Sequence, residues 1–218
     1  MGRSEVRTPA FRARGNLRRE RLLSAARELL ANHDLDTLSL ADVAAKARIP
    51  KASAYHYHTS IMDLYAEVLA VINQDMYDQL RRPLRSGTFR TWSDVVAILV
   101  RRGVRYFDQD PAARQLVLSP KAPPELKRRD RQSDMRLGAL FIEHISAYFV
   151  LPESPGRSAL FFRAIEIADL MFSLSVLEHG RITSEMTGEA VRAVTAYLGT
   201  QLPSSLPRRR RVATRLGR

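Results

Sequence analysis

Apolar residues recur at intervals of three and four along nearly the whole chain and nowhere alternate as in a strand, so the pattern predicts an all-α fold. Leu22, Ala25, Ala26, Leu29 and Leu30 mark a first helix, from a cap at Asn16 to about Asn32. Ser39 opens a second, with Asp42 three residues on as in a capping box, and Leu40, Val43, Ala44 and Ala47 inside. After a tight turn over Ala47-Arg48-Ile49, Pro50 suits the first position of a third helix that ends near Tyr57. Ser60 and Asp63 repeat the capping pattern ahead of a long fourth helix, whose Leu64, Tyr65, Val68, Leu69, Ile72 and Met76 share one side. Arg82-Pro83 stops it, and residues 83–90 read as a linker.

The rest of the chain keeps the helical period. Val95, Val96, Leu99, Gly103, Tyr106 and Phe107 place a helix over 93–108, and Asp110-Pro111 starts a short one to about Leu118. Past a break at 120–124, Leu137, Leu140, Phe141, His144, Ile145 and Tyr148 line the inner face of a long helix to about Val150. The segment 158–179 differs, because Leu160, Phe161, Phe162, Leu170, Met171, Phe172, Leu174 and Leu177 leave hardly any polar side. A helix apolar nearly all round must be covered on both sides. It is either central in the fold or packed, with the last helix over 184–201, against a second copy of the chain. Gly180 is its expected C-cap.

Leu38 to Tyr65 has the make-up of a helix-turn-helix. Such a motif needs small residues where its helices cross, here Ala44 and Ala45, and a sharp bend between them. The bend falls at Arg48, where a left-handed backbone is easier for glycine, so arginine should cost about 1 kcal/mol. The third helix carries almost no bulky apolar residues and ends Tyr55-His56-Tyr57-His58, the surface of an element held out to touch a partner. His56 and His58 stand two apart, a spacing that does not bring helical ligands together, and no acid completes a set, so no metal is expected.

Charge sharpens the choice of partner. The net charge of the 218 residues is +12, but residues 1–21 carry +5 of it and residues 203–218 carry +6, leaving a nearly neutral body between two basic tails. Such tails suit a polyanion, whose condensed counterions they release, or serve as solubilising ends. Residues 22–80 come to −4, so a nucleic-acid reader there needs basic help from the arm before it. The absence of cysteine removes disulfides, thiolate zinc sites and a cysteine nucleophile. No glycine-rich phosphate loop and no nucleophile–base pairing stands out, so no enzyme and no cofactor are expected. With no apolar run of membrane length and no secretion signal, a cytoplasmic protein without membrane attachment is expected.

The order Leu22-Leu23-Ser24-Ala25-Ala26, Thr37 to Ala44, Ile49 to His58 and Leu64-Tyr65 resembles the DNA-binding domain of the TetR/AcrR repressor family over roughly residues 18–65. The resemblance implies an N-terminal three-helix helix-turn-helix domain that binds double-stranded DNA, and a C-terminal helical domain for ligand binding and dimerisation. On that reading residues 1–15 are a flexible basic arm, 16–65 the DNA-binding domain, 66–202 the effector and dimer domain, and 203–218 a basic tail. It also implies that Lys51, Ala52, Ser53 and His56 face base edges in the major groove, while Ser39, Tyr55 and Tyr57 bind phosphate. The chain departs from the family's pattern at Arg48 and Ala52, where glycines are usual, at Ile61 in place of a lysine, and at His58 in place of a phenylalanine. Arg48 gains a possible phosphate contact by its length, and Arg3, Arg7, Arg12 and Arg14 of the arm are placed to enter a minor groove.

In the C-terminal domain, residues 81–136 come to +8. This suggests either solvated helix faces or a small anionic, amphiphilic effector, with Tyr106 and His144 as candidate lining residues. The expected function is a ligand-responsive regulator, most simply a homodimeric repressor joined through its last two helices and released from a palindromic operator by the effector. An architectural protein that grips nucleic acid through its tails is the alternative.

Overall fold

The computed structural model describes residues 9–85 and 87–209, with side chains from Gly15 onward. Nine α-helices follow one another among them: α1 (Pro9–Leu30), α2 (Leu40–Lys46), α3 (Lys51–Tyr57), α4 (Ile61–Leu80), α5 (Trp92–Gln109), α6 (Pro111–Ala113), α7 (Pro124–Ser146), α8 (Arg157–His179) and α9 (Ser184–Gly199). A π-helical turn, Arg114–Leu118, continues α6. The all-α expectation holds, and the β-type pairing among the described residues is one isolated bridge between Phe149 and Arg208. The first helix starts at Pro9 and not behind a cap at Asn16. Proline lacks only an N–H that the first turn would leave unused, and the arginines and alanines after it are good helix formers. The predicted flexible stretch is therefore helical from Pro9 onward, while Arg3 and Arg7 lie outside the described residues.

Two compact units result. Among the described residues, the first comprises 9–73 and 110–129 and the second 74–109 and 130–209. In the first, Leu22, Ala26 and Leu30 of α1, Val43 and Ala44 of α2, Ala54 of α3 and Leu64 and Tyr65 of α4 form a closed core. The Tyr65 hydroxyl donates to the Leu35 carbonyl at 3.0 Å and so ties the α1–α2 loop to α4. Burial, then the carboxylates of Asp36 and Asp42, pushes the Tyr65 phenol up to about 12.

The segment 110–129 folds with these helices through polar contacts that no periodicity announces. Arg27 donates to Asp110 Oδ2 through Nε at 2.9 Å, and Asp110 also caps α6 by accepting from the Ala113 amide. Gln115 accepts from the Leu35 amide at 3.2 Å and donates to the carbonyls of Leu30 at 3.1 Å and His33 at 2.7 Å. Lys121 reaches Asp34 at 2.6 Å. Gln115 thus satisfies one carbonyl that the end of α1 leaves open and a second in the loop after it. Gln115→Ala should lower the unfolding free energy by about 2 kcal/mol, as measured by urea denaturation, because three backbone groups lose their partner. A change within a few tenths would show that water replaces it.

In the second unit, Val95, Leu99 and Phe107 of α5, Leu140, Phe141 and Ile145 of α7, Phe161 and Phe172 of α8, and Val194 and Leu198 of α9 are all buried, and the Phe107 and Phe172 rings meet edge to face. Helices α7 and α8 touch at Gly138, where an added Cβ would lie 3.0 Å from the Phe162 nitrogen. Beside that crossing, carboxylate oxygens of Asp130 and Asp134 on α7 and Asp169 on α8 lie within 4.8 Å of one another. The chain then folds back after α9: the Trp92 indole donates to the Pro203 carbonyl, and the Arg208 guanidinium donates to the carbonyls of Phe89 and Arg90. Arg208 also lies over the rings of Phe89 and Phe149. Arg208, expected in a basic tail, is instead a structural clamp, because a guanidinium stacks on aromatic faces and donates in its plane at once. Arg210, Arg211, Arg215 and Arg218 lie outside the described residues.

Candidate nucleic-acid interface

Helix α2 ends as the turn requires. Arg48 has φ +55°, the one positive φ outside glycine among the described residues. Its amide donates to the Ala45 carbonyl at 3.0 Å, and the Ile49 amide donates to Ala44 at 2.9 Å. These are the paired bonds of a Schellman ending, with Ile49 buried as its apolar plug. Arg21 of α1 donates from Nη2 to the Ala47 carbonyl, fixing the turn from below. The Arg48 side chain is exposed. Arg48→Gly should raise the unfolding free energy by about 1 kcal/mol, because glycine takes this backbone freely. It should also weaken DNA binding, and thermal melts run beside operator titrations separate the two effects. Stabilisation without loss of affinity would leave the arginine no part in DNA binding.

The turn hands the chain to Pro50, and α3 presents Lys51, Ala52, Tyr55 and His56 outward while Ala54 is buried beneath. Ser53 and Tyr57 are half-buried. Lys51 Nζ stands 5.8 Å from the centre of the Tyr55 ring, one helical turn along. Tyr57 turns towards α1, its hydroxyl oxygen 3.7 Å from where a side chain at Gly15 would begin. Ser39 closes the capping box: its hydroxyl accepts from the Asp42 amide at 3.2 Å and donates to Asp42 Oδ2 at 2.6 Å. The Ser39 hydroxyl and amide bonds hold the Asp42 carboxyl below its usual range. Ser39's proton is thus committed within the cap.

Sequence reasoning missed the contacts behind this surface. His58, which follows α3, is buried, and its Nε2 lies 2.8 Å from Glu67 Oε2 on α4. Glu67 also pairs with Arg19 of α1 at 2.6 Å. One carboxylate therefore ties α1, the end of α3 and α4 together. The departure of His58 from an aromatic hydrocarbon was visible in the sequence, but its partner, nine residues away across a cap, was not.

The candidate effector residues separate. Tyr106 is buried on α5 and lines a groove of the second unit. His144 lines no part of that groove; its Nε2 lies 2.9 Å from the Leu80 carbonyl. Burial, opposed by that bond, holds the imidazole below its usual value. Arg12 and Arg14 fall within α1, at its N-terminal end.

Residues 22–68 match the family described as bacterial regulatory proteins, tetR family. No curated protein matches the chain. Among solved structures, a TetR-family transcriptional regulator from Streptomyces coelicolor aligns over 84% of this chain and 98% of its own, with TM-score 0.66 and 18% identity. A TetR transcriptional regulator from Rhodococcus sp. RHA1 aligns over 86% and 97%, with TM-score 0.64 and 16% identity. A TetR-family transcriptional regulator from Pectobacterium atrosepticum aligns over 89% and 98%, with TM-score 0.62 and 20% identity. At these identities the likeness is one of fold, and it spans both units. No helix among the described residues is long and apolar enough to cross a membrane.

Proposed function

This chain belongs to the TetR family of DNA-binding transcriptional regulators, and from that premise we propose that it is a homodimeric repressor that releases a palindromic operator when a small effector occupies its C-terminal domain. The observation that carries the reading is the outward face of α3, set at the end of a Schellman turn and carrying Lys51, Ala52, Tyr55 and His56. Lys51 donates to guanine, the small Ala52 and Ser53 admit close approach, and His56 donates or accepts at a base edge. Tyr55, Tyr57 and Arg48 position the phosphate backbone, and Ser39 does so through its cap. Arg3, Arg7, Arg12 and Arg14 supply the positive charge that residues 22–80 lack.

Dimerisation is supported by α8. Leu170, Leu174 and Leu177 recur at helical spacing on it and are 60%, 39% and 63% exposed in the single chain. The effector's signal has a covalent route as well: α5 of the second unit runs directly into Asp110, which Arg27 and the α6 cap hold in the first.

The test is competition binding between a palindromic site beside the gene and random duplex. A repressor of this kind prefers its site by roughly 10³ or more, and Lys51→Ala lowers that preference by about 1–3 kcal/mol. Equal affinity for both DNAs would favour the architectural alternative.

A further inference from the structure

A groove of about 750 Å³ lies in the second unit, between the end of α4, the loop after it and the outer face of α5. Its volume falls in the range of small-molecule sites. Arg82 and Arg85 approach from the α4 end, and Arg102 and Arg105 from α5, where Ile98 and Gln109 extend the same helical face. No carboxylate lines it, and no ion pair among the described residues takes up Arg82, Arg85 or Arg105. Elsewhere on this chain arginines do find acids, as Arg27, Arg128 and Arg192 do.

Arg102 shows how the corner is built. Its guanidinium donates to the carbonyl of Leu80, which ends α4, and to those of Arg82 and Pro83 in the loop that follows, so the loop is fixed in place. Burial, then the guanidinium groups of Arg105 and Arg82, lowers the Arg102 pKa from its ordinary value. Like charges gathered at a fixed concave site repel one another, and a bound anion relieves that repulsion without reorganising the wall. A guanidinium fork also matches the oxygens of a phosphate two at a time.

We propose that this groove binds a small, multiply charged, phosphate-bearing molecule, held by Arg82, Arg85 and Arg105 around a corner that Arg102 fixes. Leu84 and Ile98 give it a short apolar wall for the uncharged part of that molecule. The concavity selects a compact anion over a duplex, whose phosphates need a long open surface. The proposal deepens the effector reading and rests on it for the consequence at the operator, but the binding site stands by itself.

Inorganic pyrophosphate is the probe, titrated calorimetrically into the full chain at low salt. Binding to wild type is expected, with at least a tenfold loss in R85E/R105E and less than a threefold change in R101E, which reverses an exposed charge outside the groove lining. Absence of wild-type binding, or an equal loss in R101E, would overturn the site, the second because a general positive field would then suffice. If R85E/R105E instead lowers affinity for duplex DNA in the absence of pyrophosphate more than R101E does, the groove serves the DNA backbone and the proposal falls. Pyrophosphate that binds at the groove yet leaves operator affinity unchanged supports the site and removes only its assignment as the effector site.

Discussion

Replacing Leu170 and Leu177 together by glutamate is expected to yield a folded monomer whose operator affinity is lower by about 100-fold or more. Both side chains are more than half exposed in the single chain, while the opposite side of α8 is buried through Phe161, Ala164, Ala168 and Phe172. Surface substitutions away from a core change folding stability by only about 0.5 kcal/mol, so the helices survive. In the proposed twofold interface each leucine would meet the other copy, and burying one contributes about 1.5–3 kcal/mol. The substitution forfeits that twice over and places acids opposite one another. A half-site reader without its partner then loses the gain of binding two half-sites at once. Sedimentation velocity gives the mass, and operator titration the affinity. A double variant that still sediments as a dimer would place the interface elsewhere.

The second large effect has the opposite sign. Asp134→Asn should stabilise the protein by on the order of 2 kcal/mol at pH 7.5, an unusual outcome for a buried position. Burial first, and then the neighbouring carboxylates of Asp169, Asp130 and Glu166, pushes the Asp134 carboxyl from 3.8 up to about 10. Between those two values the folded chain holds a proton that the unfolded chain releases. The site's contribution to stability is therefore most favourable below pH 3.8 and declines as pH rises through that window. Asparagine keeps the shape while removing the titration. Urea melts of both proteins from pH 5 to 9 check this: the gap should widen with pH. A constant gap would mean that Asp134 does not hold its proton.

Much of the DNA-binding unit was legible because its determinants are local. The capping pair Ser39 and Asp42 and the left-handed Arg48 act within a few residues of themselves, and the structure shows each in that role. Pro50, expected at the first helical position of α3, stands one place earlier as its N-cap, with ψ 136° outside the helical range. Gly180 likewise ends α8 in the left-handed conformation, at φ +69°. The start of α1 is not visible in the apolar pattern because the run from Pro9 lacks apolar periodicity, and helix formation there follows from propensity with proline at the first position.

The sequence by itself determined the helices, their caps, the turn at Arg48 and the location of charge in segments, since a few neighbouring dihedrals and side chains decide these. Tertiary structure alone decided what distant residues do together. It joined residues 110–129 to the first unit through Gln115 and Arg27, because those bonds span some eighty residues of chain. It turned a diffuse excess of arginine into a groove of four guanidiniums, brought three aspartates of α7 and α8 within reach of one proton, and left one side of α8 uncovered. Each of these depends on which helix faces cross, and helical periodicity fixes a face without naming its neighbour.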